Sequence, residues 1–322
     1  MKSRVLLILG IAALAAGLVP AFGQIANGDF DNGNLAGWTA GGINGGSATV
    51  FRQGACASFF DTAGIQVKGG SAAKIRSSAS APTDSMGVLT SDPFIASAGI
   101  SFRALTENSD NQANPNPVTL EVWLLAGEEA LSQTVSTNVV TLGGKCGVSP
   151  DARNGVFSAH FLDTSAFAGQ TVRVEFRQRT NVPQFGFFTL IDDVAVVPVS
   201  VAIDIGGTRF RNTLRPAPGG TLPVAILSTA AFDARTVDPA TVVLTGPRGE
   251  QRGKGTTMAS FEDVNGDTYP DLLIYVRRDA EDPTDSAGVT ALEAKTWSGV
   301  LVSGKHALRL PAPVAEPLAR VQ

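Results

Sequence analysis

Val118-Thr-Leu120-Glu-Val122-Trp-Leu124 is the stretch from which the architecture is read. Its apolar residues alternate with Thr119, Glu121 and Trp123, the period of two that buries one face of a β-strand and leaves the other open. Similar short runs stand between turn signals at 48–51, 65–67, 100–105, 156–161 and 172–176. The chain holds 35 glycines and 18 prolines, and only 17% of its residues are charged. Short apolar runs separated by that many turn formers predict an all-β protein. At 322 residues the chain exceeds the usual size of one domain, so two are expected, with the boundary at Pro198.

The N-terminus predicts export. Met1-Lys2-Ser3-Arg4 is basic, 5–18 is apolar, and the run ends at Pro20-Ala21-Phe22-Gly23. That pattern is a secretory signal peptide over 1–23, cleaved after Gly23 or alternatively after Ala21. The mature protein is then expected outside the cell or in the periplasm. No second long apolar run follows, so no membrane span is expected. A net charge of −4 without a basic cluster argues against nucleic acid as a partner. The two cysteines, Cys56 and Cys146, are too few for a cysteine zinc site. In an exported chain they favour a disulfide, which would close a loop of about 90 residues and contribute ~4 kcal/mol in the chain-entropy picture. Two separate buried thiols are the alternative.

Asp263-Val-Asn265-Gly-Asp267-Thr-Tyr269-Pro-Asp271 places side-chain oxygens at positions 1, 3, 5 and 9 of one loop, and the Tyr269 carbonyl can add another. Calcium takes six to eight oxygen ligands, so Ca²⁺ is the cofactor this spacing suggests, in a structural role. An EF-hand would want Gly at position 6 and Glu at position 12, which here are Thr268 and Ile274. The flanking runs 258–261 and 272–276 look like strands, so the ion would rigidify a strand junction. A solvated acidic turn is the alternative.

In the first domain, Phe188-Thr-Leu190-Ile-Asp192-Asp193-Val194-Ala-Val196 puts Leu190, Asp192, Val194 and Val196 on one face if the strand alternates throughout. A carboxylate on an apolar face is costly without a cation or hydrogen-bond donors, which makes Asp192 a candidate ligand. Asn27-Gly28-Asp29-Phe30-Asp31 with Leu35-Ala-Gly37-Trp38, the turn Phe167-Ala-Gly169-Gln170-Thr-Val172, and the closing Leu190-Ile-Asp192-Asp193-Val194 resemble galactose-binding-like jelly rolls, including many carbohydrate-binding modules. The resemblance spans residues 24–198 and implies a jelly-roll β-sandwich. It also implies a structural Ca²⁺ between the first and last strands, held by Asp29 or Asp31 with Asp192; turn and edge carboxylates are the alternative. An extracellular glycan becomes the implied partner. Carbohydrate modules stack sugar rings on aromatic side chains. Trp38 is expected in the core, and Trp123 is the platform candidate, with Phe185 or Phe187 beside it. Packing of Trp123 under a loop is the other reading.

The second domain is expected over 199–312, followed by an extended tail at 313–322. Val201-Ala-Ile203-Asp204-Ile205, Leu222-Pro223-Val224-Ala225-Ile226-Leu227 and Thr236-Val237-Asp238-Pro239-Ala-Thr241-Val242, with the acidic loop, resemble an exported bacterial β-sandwich accessory domain. A small Ig-like sandwich is therefore expected. Gly206-Gly207-Thr208 departs from that pattern. Asp204-Ile-Gly206-Gly207-Thr208 also matches the phosphate-binding turn of actin-like sugar kinases. The remaining chain of about 115 residues cannot build two large α/β lobes, and no nucleotide partner is expected. The glycine-rich 246–255 lacks the Ser or Thr that a P-loop carries after its lysine.

Catalytic signals are sparse. His160 and His306 are the two histidines, and neither a Gly-x-Ser-x-Gly elbow nor an HExxH occurs. Asp192 and Asp193, adjacent on a strand, are expected to point to opposite faces and so cannot act as a glycosidase pair. The chain is expected to be a secreted, non-catalytic, calcium-stabilised binding protein. A structural or adhesive surface protein is the alternative, and a hydrolase the third reading.

Overall fold

The computed structural model describes residues 24–52, 67–77, 85–108, 119–135, 138–141, 157–180, 187–205, 221–245, 251–278 and 288–308. The signal segment 1–23, Cys56, Cys146, Phe185, the turn 206–208 and the tail 313–322 lie outside the described residues, as does the side chain of Phe187.

Among the described residues, twelve strands precede Pro198: β1 (Trp38–Ile43), β2 (Ser47–Arg52), β3 (Ser71–Arg76), β4 (Ser85–Ser91), β5 (Phe94–Ile95), β6 (Gly99–Asn108), β7 (Thr119–Ala126), β8 (Glu128–Val135), β9 (Asn138–Thr141), β10 (Ser158–Asp163), β11 (Thr171–Thr180) and β12 (Phe187–Val197). They form two sheets. One runs β1-β4-β11-β7-β8 with β5 also on β11, the other β10-β6-β12-β3-β2 with β9 also on β6. The chain crosses between the two sheets at β1–β2, β3–β4, β5–β6, β6–β7, β8–β9, β10–β11 and β11–β12, which makes the jelly-roll β-sandwich.

The alternation read at residues 118–124 decides how the two sheets face each other. Leu120, Val122 and Leu124 of β7 enter the core with Val172, Val174 and Phe176 of β11 and Leu89 of β4. From the opposite sheet come Ala73, Ile75, Ile100, Phe102, Ala104 and Ile191. Trp38 is buried among them, its ring centroid 5.3 Å from Phe30 and 6.1 Å from Phe176. Its indole N–H donates to the Ala26 carbonyl at 3.0 Å, so the polar edge of the ring is satisfied where it meets the entry loop. A second apolar cluster, with Phe51, Leu105, Phe188 and Leu190, lies on the outer face of the β10-β6-β12-β3-β2 sheet.

Among the described residues, eight strands follow Pro198: β13 (Val199–Val201), β14 (Ile203–Ile205), β15 (Thr221–Ile226), β16 (Val237–Thr245), β17 (Gln251–Glu262), β18 (Asp271–Arg278), β19 (Gly288–Thr296) and β20 (Leu301–Leu308). Their pairing is continuous, β13-β20-β19-β16-β17-β18-β15-β14, where an Ig-like sandwich would break into two sheets. The two ends of that order are consecutive in the chain. Val199–Val201 pairs in parallel with β20, and Ile203–Ile205 pairs antiparallel with β15. One seven-residue segment therefore joins both edges, and the sheet wraps around its own core of Ile203, Ile205, Val224, Ile226, Val242, Leu272, Ile274 and Leu292. Pairing at Val302–Gly304 and Val224–Ile226 covers part of each edge that another chain could otherwise use. Gly304 makes the closure possible: a Cβ at this position would stand 2.6 Å from Ile203 Cγ2 and 3.0 Å from the Val201 carbonyl oxygen.

Candidate functional site

With the inner face of β7 committed to the core, Glu121 and Trp123 stand on the outer face of the first sheet. Register places Trp123 opposite Glu175, and Glu175 opposite Thr90 on the far side. The side chains join in a row across three strands. Thr90 Oγ1 donates to Glu175 Oε2 at 2.6 Å, and Arg177 Nε donates to Glu175 Oε1 at 2.5 Å. The Arg177 guanidinium lies 4.2 Å from the Trp123 ring centroid, a cation–π contact. The Trp123 indole N–H donates to Glu121 Oε2 at 3.0 Å, and Arg179 Nε stands 3.8 Å from the other Glu121 oxygen. Trp123 is partly exposed, with one ring face under arginine and its polar edge on a carboxylate. The sequence reading found the tryptophan and missed its partners. Their signal was present: Arg173, Glu175, Arg177 and Arg179 alternate with buried residues along β11, a charged face at period two.

Asp192 sits on the opposite sheet, and its neighbourhood departs from regular alternation. The β12 register shifts between Asp192 and Ala195, and Asp193 takes a left-handed φ of 51°. This bulge overturns two expectations. Ile191 and Val194 both enter the main core while Leu190 joins the outer cluster, so Leu190, Asp192, Val194 and Val196 do not share a face. Asp193 also does not simply point away from Asp192. Its carboxylate reaches Arg103, the residue paired with Asp192 across the strands, at 3.2 Å, and Lys68 at 3.2 Å. An extra residue in a strand re-aims side chains in this way.

Asp192 is 1% exposed. Its Oδ1 accepts the Asp193 N–H at 2.8 Å, while Oδ2 has no hydrogen-bond partner. Burial raises its pKa to about 7; the Asp193 amide and the Arg103 charge oppose the rise, and the charges of Asp193 and Asp31 add to it. The 27–31 loop covers this place, with the Val194 N–H donating to the Gly28 carbonyl at 2.8 Å. A Cβ on Gly28 would stand 1.9 Å from the Val194 carbonyl oxygen, so only glycine fits at that crossing. Asp31 lies against Gly69, whose Cβ would fall 1.6 Å from Asp31 Oδ1. Asp29 instead folds back locally, its Oδ1 accepting the Asp31 N–H at 3.3 Å. The charge of Asp31 adds to the rise of the Asp192 pKa.

The acidic loop between β17 and β18 closes on its own amides. Asp263 Oδ1 accepts the N–H of Gly266 at 2.6 Å and of Asp267 at 3.1 Å, and its Oδ2 accepts that of Thr268 at 2.9 Å. Asn265 Oδ1 accepts the Asp267 N–H at 3.0 Å, and Asp267 Oδ1 that of Tyr269 at 2.9 Å. Asp271 faces inward at 0% exposure, taking the Ser228 N–H at 2.8 Å on one oxygen and the Val264 N–H at 2.9 Å on the other. Thr268 stands where an EF-hand would have glycine, and it adopts a left-handed φ of 77°. The turn geometry survives the glycine's absence. Asp263, Asn265 and Asp267 share the outer end of the loop, whereas Asp271 ties its base to the 228 turn. Among the described residues, no three His, Cys, Asp or Glu side chains converge as a ready-made metal cluster.

The histidines occupy structural positions. His160 stacks on Phe102 at 5.1 Å, and its Nε2 lies 2.8 Å from Ser158 Oγ. Ser158 Oγ donates to the Ala104 carbonyl at 3.0 Å, which commits the hydroxyl proton that a nucleophile would have to give to the imidazole. Burial lowers the His160 pKa. His306 Nδ1 lies 3.1 Å from the Ile203 carbonyl, bridging β20 to the closing segment.

The chain matches no protein-family pattern and no curated protein. Among solved structures it is similar to TmCBM61, solved in complex with beta-1,4-galactotriose, with 14% identity over 53% of this chain and 94% of that one, at a TM-score of 0.32. It is likewise similar to a cleaved adhesin domain of Lys-gingipain from Porphyromonas gingivalis, with 13% identity over 52% and 96% of the two chains, at a TM-score of 0.34. The adhesin domain of Epf from Streptococcus pyogenes aligns over 89% of this chain and 98% of its own, with 10% identity and a TM-score of 0.30. Likenesses this distant carry no argument about ligand or activity, which must come from the residues. No helix among the described residues is long and apolar enough to cross a membrane.

Proposed function

We propose that this protein is an exported, non-catalytic binding protein that recognises an extracellular glycan on the outer face of its first sheet. The observation that carries this reading is the row Thr90–Glu175–Arg177–Trp123–Glu121, an aromatic ring set among hydrogen-bonded, partly exposed polar side chains on the outer face of the first sheet. Sugars present C–H faces to aromatic rings and hydroxyls to planar polar groups, and this row offers both. Arg177 and Glu175 hold each other in place, so binding would order few additional side chains, which lowers its entropic cost. Phe187 begins β12 of the opposite sheet, so its strand does not lie beside Trp123 as expected and it takes no part in this reading.

Calcium is proposed as a structural cofactor at Asp192 with Asp31. Support comes from the buried, unpartnered Asp192 oxygen, which also feels the charge of Asp31. Two carboxylates with backbone carbonyls and water suit a hard cation that prefers oxygen. The loop of Asp263, Asn265, Asp267 and the Tyr269 carbonyl is the second proposed site, with Asp271 bracing its base. Its oxygens already accept amide N–H groups, so its case rests on donor chemistry alone. An adhesive or surface-structural role is the second reading, favoured by the close packing of the two units described below.

The test is retardation of the intact secreted chain in gels containing soluble polysaccharides. Trp123→Ala and Arg177→Ala are each expected to weaken retardation at least tenfold with the fold retained. A wild type that no polysaccharide retards would leave the adhesive reading standing alone.

A further inference from the structure

Trp297 is 69% exposed, the most exposed large apolar side chain among the described residues. It contrasts with the other two tryptophans, since Trp38 fills the core and Trp123 lies under Arg177. An exposed indole on a loose loop would carry little information. This one is held. It sits in the turn between β19 and β20, where the Gly299 N–H donates to the Thr296 carbonyl at 2.9 Å and the Thr296 N–H to the Val300 carbonyl at 2.9 Å. Thr296 Oγ1 accepts the Val300 N–H at 3.0 Å and contacts Ser298 Oγ at 2.9 Å. Gly299 takes the left-handed φ of 87° that ends such a turn, and its Cβ would stand 3.3 Å from Ile95 of the first unit. Trp297's own N–H donates to the Thr236 carbonyl at 2.9 Å, fixing the turn against residues 233–236.

That neighbouring turn carries a planar polar pair. Arg235 Nε lies 2.9 Å from Asp233 Oδ1, and Arg235 Nη2 lies 2.8 Å from Asp233 Oδ2, a two-point ion pair that leaves both side chains about half exposed. Asp233 Oδ1 also accepts the Arg235 backbone N–H at 3.0 Å, so the carboxylate is fixed, and the half-exposed guanidinium is left to offer N–H groups to solvent. The two charges cancel. An exposed indole on a turn bonded to a net-neutral, pre-ordered ion-pair segment favours an uncharged ring with axial C–H groups and several hydroxyls.

We propose that Trp297, with Asp233 and Arg235, forms a second glycan-binding site, taking a pyranose ring of a neutral polysaccharide. The indole supplies the stacking surface, and the ion pair exchanges hydrogen bonds with the sugar hydroxyls. The proposal rests on the reading of this protein as a glycan binder and adds a contact on the other unit. Two sites on one chain raise the apparent affinity for a long polysaccharide well above that of either alone, if one strand spans both.

Affinity gel electrophoresis of the intact chain in soluble galactan, xylan and glucomannan tests it, comparing wild type with Trp297→Ala, Trp297→Phe and Trp123→Ala. Trp297→Ala is expected to weaken retardation at least tenfold with an unchanged melting temperature, because an exposed side chain supports little packing, while Trp297→Phe keeps most of the binding. Polysaccharide should also blue-shift the tryptophan emission of the wild type, and much less that of Trp297→Ala. If Trp297→Ala is retarded like wild type while Trp123→Ala is not, glycan binding is real and this site is wrong. If none of the three polysaccharides retards the wild type, both readings fall. Co-sedimentation with phosphatidylcholine vesicles that depends on Trp297 would assign the indole to a lipid surface and overturn the proposal.

Discussion

Asp192 concentrates the chemistry of the first unit into one atom. Its buried, unpartnered oxygen penalises the ionised form, and burial is the main reason its pKa rises to about 7 from the ordinary 3.8. The consequence for stability has a definite sign. Between about pH 4 and pH 7 the folded protein keeps a proton that the unfolded chain has released, so stability falls as pH rises through that window. One proton caps the slope at about 1.4 kcal/mol per pH unit. In calcium-free buffer, denaturant unfolding of the wild type is expected to show this decline, and Asp192→Asn to lack it. Saturating Ca²⁺ should remove the decline from the wild type, because a bound cation favours the ionised carboxylate. Equal slopes for wild type and Asp192→Asn without calcium would dismiss the account. The Asp192 side chain was legible in the sequence as a carboxylate in apolar company. Its unpaired oxygen was not, since that depends on the bulge at Asp193 and on the loop that covers it.

At the scale of elements, the closing segment β13–β14 does what no single strand in the sequence announces. Its alternation, Val201, Ile203 and Ile205 inward, reads as an ordinary strand. Pairing on both edges of one sheet follows only from where β15 and β20 arrive. Gly304 is the local condition for it, so Gly304→Val is expected to destabilise the second unit by about 2–3 kcal/mol through overpacking against Ile203 and the Val201 carbonyl. Urea unfolding monitored by circular dichroism measures this. A loss below about 0.5 kcal/mol would mean that the segment does not pack as described. The row on the first sheet makes the same point. Alternation in β7 and β11 exposed Trp123 and Arg177 to the same side, but only strand order β4-β11-β7 set Thr90, Glu175 and Trp123 abreast.

Across the whole molecule the two units meet through more than Pro198. The buried Ser97 hydroxyl donates to the Leu301 carbonyl at 3.1 Å, and its own carbonyl accepts from the Thr164 hydroxyl at 3.0 Å. Ile95 packs over Gly299, and Ser298 over Gly169, where a Cβ would stand 3.2 Å from the Ser298 hydroxyl. Small residues on both sides let backbones approach, so the β19–β20 turn docks on the 94–98 and 164–170 segments of the first unit. Coupled packing of this kind favours cooperative unfolding. Calorimetry of the wild type is expected to show one transition, and Gly299→Val, which adds both bulk at Ile95 and a strained left-handed residue, to split it or lower its cooperativity. Two well-separated transitions in the wild type would mean that the contact is energetically slight.

What the sequence determined by itself is what short-range chemistry controls. Period-two alternation and glycine-rich turns set an all-β chain, because each strand must choose a buried face locally. Spacing of carboxylates at 263–271 set a loop that folds back on its own amides, since Asp and Asn side chains reach only a few residues along the chain. The tertiary structure decided everything that depends on which strands become neighbours: the wrapped sheet of the second unit, the orphaned oxygen of Asp192, the partners of Trp123, and the exposure of Trp297. Those are mostly properties of contacts between residues tens of positions apart or more, such as Trp123 with Arg177 and Val201 with Gly304. A strand's sequence shows which face it buries but carries no record of what lies beside it.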